Sequence, residues 1–177
     1  YTGGTTGMPK GVMWRHEDIL LGAMNSGRGG RPVERPEQLG EEAAASPGQM
    51  RLMALGPMMH GGGQWVMGNA FTMGGVFVLY TGQRFDAHAI WRLAERGGAN
   101  SVSTVGDAMA RPLAEALEAQ PGRWPLQRLA MIGSGGAPLS AHLQARLSAQ
   151  LPTTRVMTSL GTSESGALGA GAPSPDG

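Results

Sequence analysis

The chain alternates short apolar runs with longer segments of helical periodicity, and this alternation limits its fold more than any other feature. Runs rich in apolar and β-branched residues predict strands at residues 51–55, 76–80, 101–105, 129–132 and 153–159. Apolar residues at helical spacing predict helices at residues 64–71, 86–96, 107–118 and 140–150. Asp86 and Ser140 stand where a helix N-cap is preferred. The pattern predicts an α/β fold, a layered and mostly parallel sheet with flanking helices.

Glycine marks the loops of this predicted sheet. The sequence has 30 glycines in 177 residues, and they form clusters without a fixed period, which excludes a collagen-like chain. Clustered glycine is typical of loops in which the backbone approaches a ligand. Three of the glycine-rich or polar loops follow predicted strands, and parallel sheets bind ligands at the carboxyl ends of their strands.

One segment does not follow the alternation. Residues 22–48 contain much Gly, Pro, Arg, Glu and Ala, with few apolar residues and no clear period. We expect a flexible surface insertion there. Its basic stretch at residues 28–35 could contact a partner, but a solvated loop is the preferred interpretation.

Charge and cysteine content exclude several classes of protein. The net charge is +1, so the basic surface of a nucleic-acid binder is missing and we expect no nucleic-acid partner. The sequence has no cysteine, which rules out disulfide scaffolds, zinc knuckles and thiol catalysis and permits a reducing compartment. We therefore expect a cytoplasmic protein. No apolar run approaches the roughly 18 residues of a transmembrane helix, so none is expected.

The first twelve residues carry the strongest chemical signal. They read Tyr-Thr-Gly-Gly-Thr-Thr-Gly-Met-Pro-Lys-Gly-Val, which combines accessible backbone amides, hydroxyl groups and one lysine. Such groups suit phosphate oxygens. The loop is not a Walker A motif, because Pro9 precedes Lys10 and Gly11 follows it. On composition alone, a flexible turn explains the loop equally well.

Two further motifs follow predicted strands. Residues 133–139 read Gly-Ser-Gly-Gly-Ala-Pro-Leu, which by itself indicates a turn from strand to helix. Residues 160–166 read Leu-Gly-Thr-Ser-Glu-Ser-Gly. This is close to the nucleophile elbow of α/β-hydrolases, but Ser165 replaces the final glycine and disfavours that class.

These three motifs, in this order, resemble the adenylate-forming superfamily of acyl-CoA synthetases, luciferases and peptide-synthetase adenylation domains. The family's phosphate loop reads Tyr/Phe-Thr-Ser/Gly-Gly-Thr/Ser-Thr-Gly-x-Pro-Lys-Gly-Val, and residues 1–12 match it almost without a break. Residues 133–139 are similar to its Gly-Gly-Ala-Pro-Leu segment, and residues 160–166 to its Tyr-Gly-x-Thr-Glu motif. The resemblance places the chain in the large N-terminal domain of such an enzyme.

The resemblance also implies roles for individual residues. It assigns cofactor binding to Thr2, Gly3, Gly4, Thr5, Thr6, Gly7, Lys10, Gly135, Gly136, Ala137, Pro138, Leu160, Gly161, Thr162 and Ser163. Catalytic roles fall to Lys10, Glu164 and His60, and Glu164 is the magnesium ligand. A single carboxylate is sufficient for magnesium bound to ATP.

Two of these positions need comment. Leu160 stands where many relatives have a tyrosine, so contact with adenine there becomes apolar packing. His60 stands where the family has a histidine or an aromatic residue near the carboxylate being activated, although a lone histidine is commonly structural.

The activity implied by the resemblance is that of an ATP-dependent carboxylic acid:CoA ligase. A carboxylate would attack the α-phosphorus of ATP to give an acyl adenylate, and CoA would then take the acyl group as a thioester. The expected small molecules are a carboxylic acid, ATP, Mg2+ and CoA as co-substrate, and a homodimer is left open. The Thr-Ser-Glu-Ser-Gly and Met-Trp-Arg-His-Glu sequences are similar to those of bacterial fatty-acid or steroid-acid CoA ligases.

Two alternatives stay open. One is an acyl-AMP ligase or adenylation module that loads a carrier protein, and the other is an inactive nucleotide-binding remnant. We expect residues 1–177 to be an internal part of the AMP-binding (adenylation) domain, without the C-terminal lid domain. On that expectation, this part has no ligase activity by itself.

Overall fold

The computed structural model describes residues 1–3, 7–24, 33–45 and 47–171. The described helices are α1 His16–Gly22, α2 Glu37–Ala45, α3 Gly61–Thr72, α4 Ala87–Gly97, α5 Gly106–Ala119 and α6 Ala141–Gln150. The described strands are β1 Arg51–Ala54, β2 Val76–Leu79, β3 Ser101–Thr104, β4 Met131–Ser134, β5 Arg155–Thr162 and β6 Gly166–Gly171.

The described strands form one six-stranded sheet in the order β2-β1-β3-β4-β5-β6. Strands β2, β1, β3, β4 and β5 are joined by parallel pairing, and only β5 and β6 pair antiparallel. The predicted α/β fold with a mostly parallel sheet is therefore confirmed. Because parallel strands end at the same edge, the loops after β1 to β4 lie side by side.

The core lies between the central strands and α4, α5 and α6. Val102 on β3 and Ile132 on β4 are fully buried, as are Trp91 on α4 and Leu143 on α6. Burying a side chain of this size stabilises a fold by about 1.5–3 kcal/mol. The one polar atom of the Trp91 ring is satisfied, since Nε1–H donates to the backbone oxygen of Leu113 at 3.0 Å.

Both predicted helix caps are confirmed. Asp86 precedes α4, and its carboxylate accepts a hydrogen bond from the amide of Ala89 at 3.0 Å. Ser140 precedes α6, and its hydroxyl accepts from the amide of Leu143 at 3.4 Å. Each cap satisfies an amide that has no partner within the helix.

Two predicted strands have different limits in the structure. The strand predicted at 129–132 is displaced to Met131–Ser134, because Gly133 and Ser134 pair with β3 on one side and β5 on the other. The strand predicted to end at residue 159 continues to Thr162, because it pairs with β6. Strand β6 and helix α1 were not predicted. Because β6 pairs with β5, the motif at residues 160–166 lies in a hairpin and not in a loop that follows a strand.

The segment 22–48 contains regular structure where it is described. Helix α2 covers Glu37–Ala45, and the backbone of Ala43 lies directly against Gly74 at the end of α3. Residues 25–32 and 46 lie outside the described residues. The flexibility expected of this segment stays a prediction. None of the described helices combines the length and apolar character needed to cross a membrane.

Candidate functional site

The loop at residues 1–12 is closed at its neck by two backbone hydrogen bonds. The amide of Thr2 donates to the oxygen of Lys10 at 2.9 Å, and the amide of Lys10 donates to the oxygen of Thr2 at 3.0 Å. Gly4, Thr5 and Thr6, which the sequence assigns to the site, lie outside the described residues. Lys10, the only lysine of the sequence, is exposed at this neck. Within the described residues it makes no ion pair, so its charge is available to an anion.

The motif at residues 160–166 forms the tight end of the β5–β6 hairpin. The hydroxyl oxygen of Thr162 accepts hydrogen bonds from the amides of Glu164 at 3.3 Å and Ser165 at 3.1 Å. The hydroxyl groups of Thr162 and Ser165 are 2.9 Å apart and hydrogen bonded to each other. These bonds close the turn, and the Glu164 side chain is exposed at its tip. The Thr162 hydroxyl, expected to bind the cofactor, is used within the turn.

Leu160 lies on the same hairpin and is exposed. It is 69% accessible, and Leu168 on β6 is 61% accessible. A register shift between β5 and β6 occurs at Leu160 and Gly161. An accessible leucine at this position is compatible with apolar packing against a flat ligand ring.

The motif at residues 133–139 is held by the first turn of α5. Ser134 is buried, and its hydroxyl oxygen accepts the amide of Gly106 at 2.9 Å. The amide of Asp107 donates to the oxygen of Pro138 at 3.1 Å. The Asp107 carboxylate in turn accepts from the amide of Ser140 at 2.7 Å. The loop between β4 and α6 is thus fastened to α5 at both of its ends.

The pKa of Asp107 reflects this contact. The hydrogen bond from the Ser140 amide lowers the pKa of Asp107 below its usual range, against an opposing effect of desolvation. The Ser140 hydroxyl and the charges of Arg111 and His142 lower it further. Sequence reasoning missed Asp107 as part of the site. The sequence feature that could have indicated Asp107 is its position two residues after the predicted strand 101–105, where ligand-binding loops of parallel sheets lie.

The motifs at 133–139 and 160–166 are neighbours across the sheet. Strands β4 and β5 pair with Ser134 opposite Thr158. The hydroxyl of Ser159 donates to the backbone oxygen of Ser134 at 3.2 Å. A Cβ added at Gly135 would lie 2.6 Å from that hydroxyl oxygen, so Gly135 leaves room for the contact.

The segment that follows the first motif reaches the same hairpin. The indole Nε1–H of Trp14 donates to the backbone oxygen of Ser163 at 2.8 Å, and the pair is partly buried. A Cβ added at Gly166 would lie 2.9 Å from the backbone oxygen of Gly22, at the end of α1. The segment after the first motif, strand β5 and the motif at residues 133–139 are therefore linked at one side of the sheet. Trp14 belongs to the Met-Trp-Arg-His-Glu sequence, but no role was predicted for it.

His60 is separate from these contacts. It occupies the N-cap position of α3, is exposed, and makes no capping hydrogen bond through its side chain. A cavity of about 370 Å3 lies nearby at the carboxyl ends of β1 and β2, lined in part by Leu55, Met58, Tyr80, Arg84 and Phe85. His60 does not line it. Its expected role near a substrate carboxylate stays a prediction.

Among the residues that the structure describes, no group of three or more His, Asp or Glu side chains could hold a metal ion. Glu164 offers one exposed carboxylate at the hairpin tip. This donor fits a magnesium ion that takes its other ligands from phosphate oxygens and water.

Comparisons with known proteins show the family and the fold. A family model described as "AMP-binding enzyme" matches residues 1–177. The medium-chain acyl-CoA ligase Mig of Mycobacterium avium is 42% identical over 94% of this chain and 30% of its own length. The 3-oxocholest-4-en-26-oate–CoA ligase of Rhodococcus rhodochrous is 38% identical over 97% of this chain and 31% of its own. The chain thus spans about a third of the length of these relatives.

A solved structure has the same fold. The o-succinylbenzoate CoA synthetase of Bacillus subtilis, in complex with its acyl-adenylate intermediate OSB-AMP, matches with a TM-score of 0.71 and 25% identity. The match covers 98% of this chain and 31% of the synthetase chain.

Proposed function

The chain belongs to the AMP-binding enzyme family, and we propose on that premise that the whole protein is an ATP-dependent carboxylic acid:CoA ligase. The predicted family resemblance is confirmed by the match over residues 1–177. The observation that supports the proposal is that Trp14, two residues after the first motif, contacts Ser163, while Ser159 of the same hairpin contacts Ser134 in the motif at residues 133–139. Relatives at about 40% identity are named acyl-CoA ligases, which supports the same activity here.

We propose that the first motif binds the phosphates of ATP. Lys10 supplies the positive charge, and the bonded neck between Thr2 and Lys10 fixes its backbone. The other groups of this proposal are the hydroxyls and amides of Thr2, Gly3, Gly4, Thr5, Thr6 and Gly7. Glu164 would hold magnesium, whose charge would offset that of the phosphates. Catalysis of this kind consists of positioning and charge stabilisation.

The proposed reaction has two steps. A carboxylate oxygen attacks the α-phosphorus, the bond from phosphorus to the bridging oxygen breaks, and its electron pair leaves with pyrophosphate. The thiol sulfur of CoA then attacks the acyl carbon of the adenylate. The thiol loses its proton, and AMP leaves with the electron pair of the broken C–O bond.

The remaining site residues are assigned to adenine and the acid. Gly135, Gly136, Ala137 and Pro138 offer little side chain, so a flat ring can lie against their backbone, with Leu160 and Gly161 on the neighbouring hairpin. The exposure of Leu160 supports this part of the proposal. His60 is proposed to lie close to the carboxylate of the acid. The Ser163 side chain is proposed to contact phosphate.

The class of acid follows from the relatives. Their names specify a medium-chain acid in one case and a steroid acid in another, so we propose a fatty acid or a related apolar acid. The cavity beside Met58 has a mixed lining, in which Leu55 and Phe85 offer apolar surface and Arg84 offers a positive charge. A cytoplasmic location, expected from the lack of cysteine, belongs to the same proposal.

The test is acid-dependent release of AMP by the whole protein, with fatty, aromatic and steroid acids, in the presence and absence of CoA. Lys10→Ala and Glu164→Ala should each reduce the rate by about 100-fold or more, because each removes a charge that the transition state needs. Arg92→Ala and Glu115→Ala are the matched controls, since both residues are exposed helix residues away from the motifs, and they should keep the wild-type rate.

The outcomes separate the alternatives. CoA-dependent thioester formation supports the ligase. AMP release that does not require CoA, with transfer to a carrier protein, would replace it by carrier loading. Nucleotide binding with no dependence on any acid would contradict the proposal and favour an inactive remnant.

A further inference from the structure

The bond between Trp14 and Ser163 joins a residue close to Lys10 in sequence to the backbone of the proposed ATP-binding hairpin. Trp14 lies four residues after Lys10, and Ser163 directly precedes Glu164. Their separation in sequence is 149 residues, and the distance between donor and acceptor is 2.8 Å. The bond is partly buried, where a hydrogen bond is less exposed to competition from water.

The end of helix α1 packs close to this bond. A Cβ added at Gly22 would lie 3.9 Å from the Trp14 ring. The backbone oxygen of Gly22 and the Cβ of Ala23 lie 2.9 Å and 3.3 Å from the position of a Cβ at Gly166, which has φ of +72°. The end of helix α1 therefore packs beside the turn of the hairpin.

The hairpin turn is closed by hydrogen bonds of its own. Its internal bonds run from the Thr162 hydroxyl to the amides of Glu164 and Ser165. Among the described side-chain hydrogen bonds, the one from Trp14 is the link between residues 7–24 and this turn. Loss of the Trp14 bond would leave the hydrogen bonds within the turn intact and allow the turn to shift relative to residues 7–24.

We propose that Trp14 is a positioning residue that holds the Glu164 turn at a fixed place relative to Lys10, and so sets the magnesium and ATP requirement of the enzyme. This inference rests on the proposed function. The side chain acts through the backbone of Ser163 and touches no reacting atom. A phenylalanine would keep most of the packing and remove the N–H donor.

The experiment compares Trp14→Phe with Trp91→Phe in the whole protein. Trp91 is the matched control, because its Nε1–H also donates to a backbone oxygen, that of Leu113 at 3.0 Å, but in the core. Trp14→Phe should raise the magnesium concentration for half-maximal rate, and the KM for ATP, by about 3- to 10-fold with little change in Tm. Trp91→Phe should lower Tm and leave both requirements unchanged.

A second readout does not depend on activity. Amide hydrogen exchange in peptides covering residues 159–168 should be faster in Trp14→Phe than in the wild type, and unchanged in Trp91→Phe. Unchanged exchange in Trp14→Phe would overturn the inference, as would an active Trp14→Phe enzyme with the wild-type magnesium requirement. If the wild type forms no acyl adenylate with any acid, the proposed function fails, and the exchange measurement still decides whether Trp14 positions the turn.

Discussion

Gly106 is a residue at which one added methyl group would collide with the proposed adenine-binding loop. Its φ is +58°, and a Cβ there would lie 2.7 Å from the Cβ of Ala137 and 2.8 Å from the oxygen of Pro138. Gly122 is a matched control, because its φ is +71° but a Cβ there would meet nothing within 4 Å. Both alanine variants bear the cost of the left-handed conformation, about 1 kcal/mol.

We predict that Gly106→Ala destabilises the protein by about 2–4 kcal/mol and Gly122→Ala by about 1 kcal/mol. The excess comes from displacement of residues 137–138, so Gly106→Ala should also weaken ATP binding. Urea unfolding gives the two free energies, and equilibrium titration gives the affinity for ATP. Equal losses of stability in the two variants would show that residues 137–138 accommodate the added methyl group with no further loss of stability.

Single residues also show what the sequence can reveal. Lys10 and Glu164 were predicted as site residues because their charge is visible in motifs of unusual composition. Trp14 and Asp107 were missed, because each acts through a backbone group that is 149 or 33 residues away. Because nearly every residue has a backbone amide and a carbonyl, the residue type of the partner does not reveal such a contact. Only the fold determines it.

At the scale of elements, Asp107 fastens α5 to the start of α6 through the Ser140 amide. Because the pKa of Asp107 is lowered in the folded state, the ionised carboxylate contributes stability above its unfolded pKa of about 3.9. That contribution is lost as pH falls through the lower, folded pKa. An amide side chain in place of the carboxylate cannot ionise and would lack this dependence.

We predict that Asp107→Asn is less stable than the wild type at neutral pH, and that the difference shrinks as pH is lowered below about 4. Urea unfolding of both proteins between neutral and acid pH measures the difference directly. A difference that stays constant with pH would mean that the carboxylate charge contributes nothing to this contact.

The elements predicted best from sequence were those whose local preference agrees with their environment. Val76–Leu79 and Ser101–Thr104 are β-branched or apolar runs that become parallel strands, and α4 begins at a residue suited to capping it. Strand β6 was missed because Gly166–Gly171 consists of glycine, alanine and one leucine, with no intrinsic preference for a strand. Pairing with β5 imposes the extended conformation, and this tertiary effect is absent from a local pattern.

For the molecule as a whole, the fraction of the relatives' length that the chain covers determines which activity we expect of it by itself. It matches about 30% of each ligase. We predict that the 177-residue chain, produced by itself, forms no acyl-CoA from any acid that the whole protein accepts. Thioester formation followed by mass spectrometry tests this, with the whole protein as the positive control. Detectable thioester from the chain by itself would show that these residues contain the complete machinery.

The contact between Trp14 and Ser163 also constrains the order of events during synthesis. A ribosome adds about 5–20 residues per second, so the 149 residues between these partners take roughly seven to thirty seconds to appear. Strands β1, β2 and β3 can pair during that interval, since all three precede residue 105. During that interval the indole N–H of Trp14 lacks its acceptor on Ser163. A nucleotide stabilises only a state that binds it, so it would stabilise this early intermediate little. The stability of the intermediate then comes from the packing of its own core.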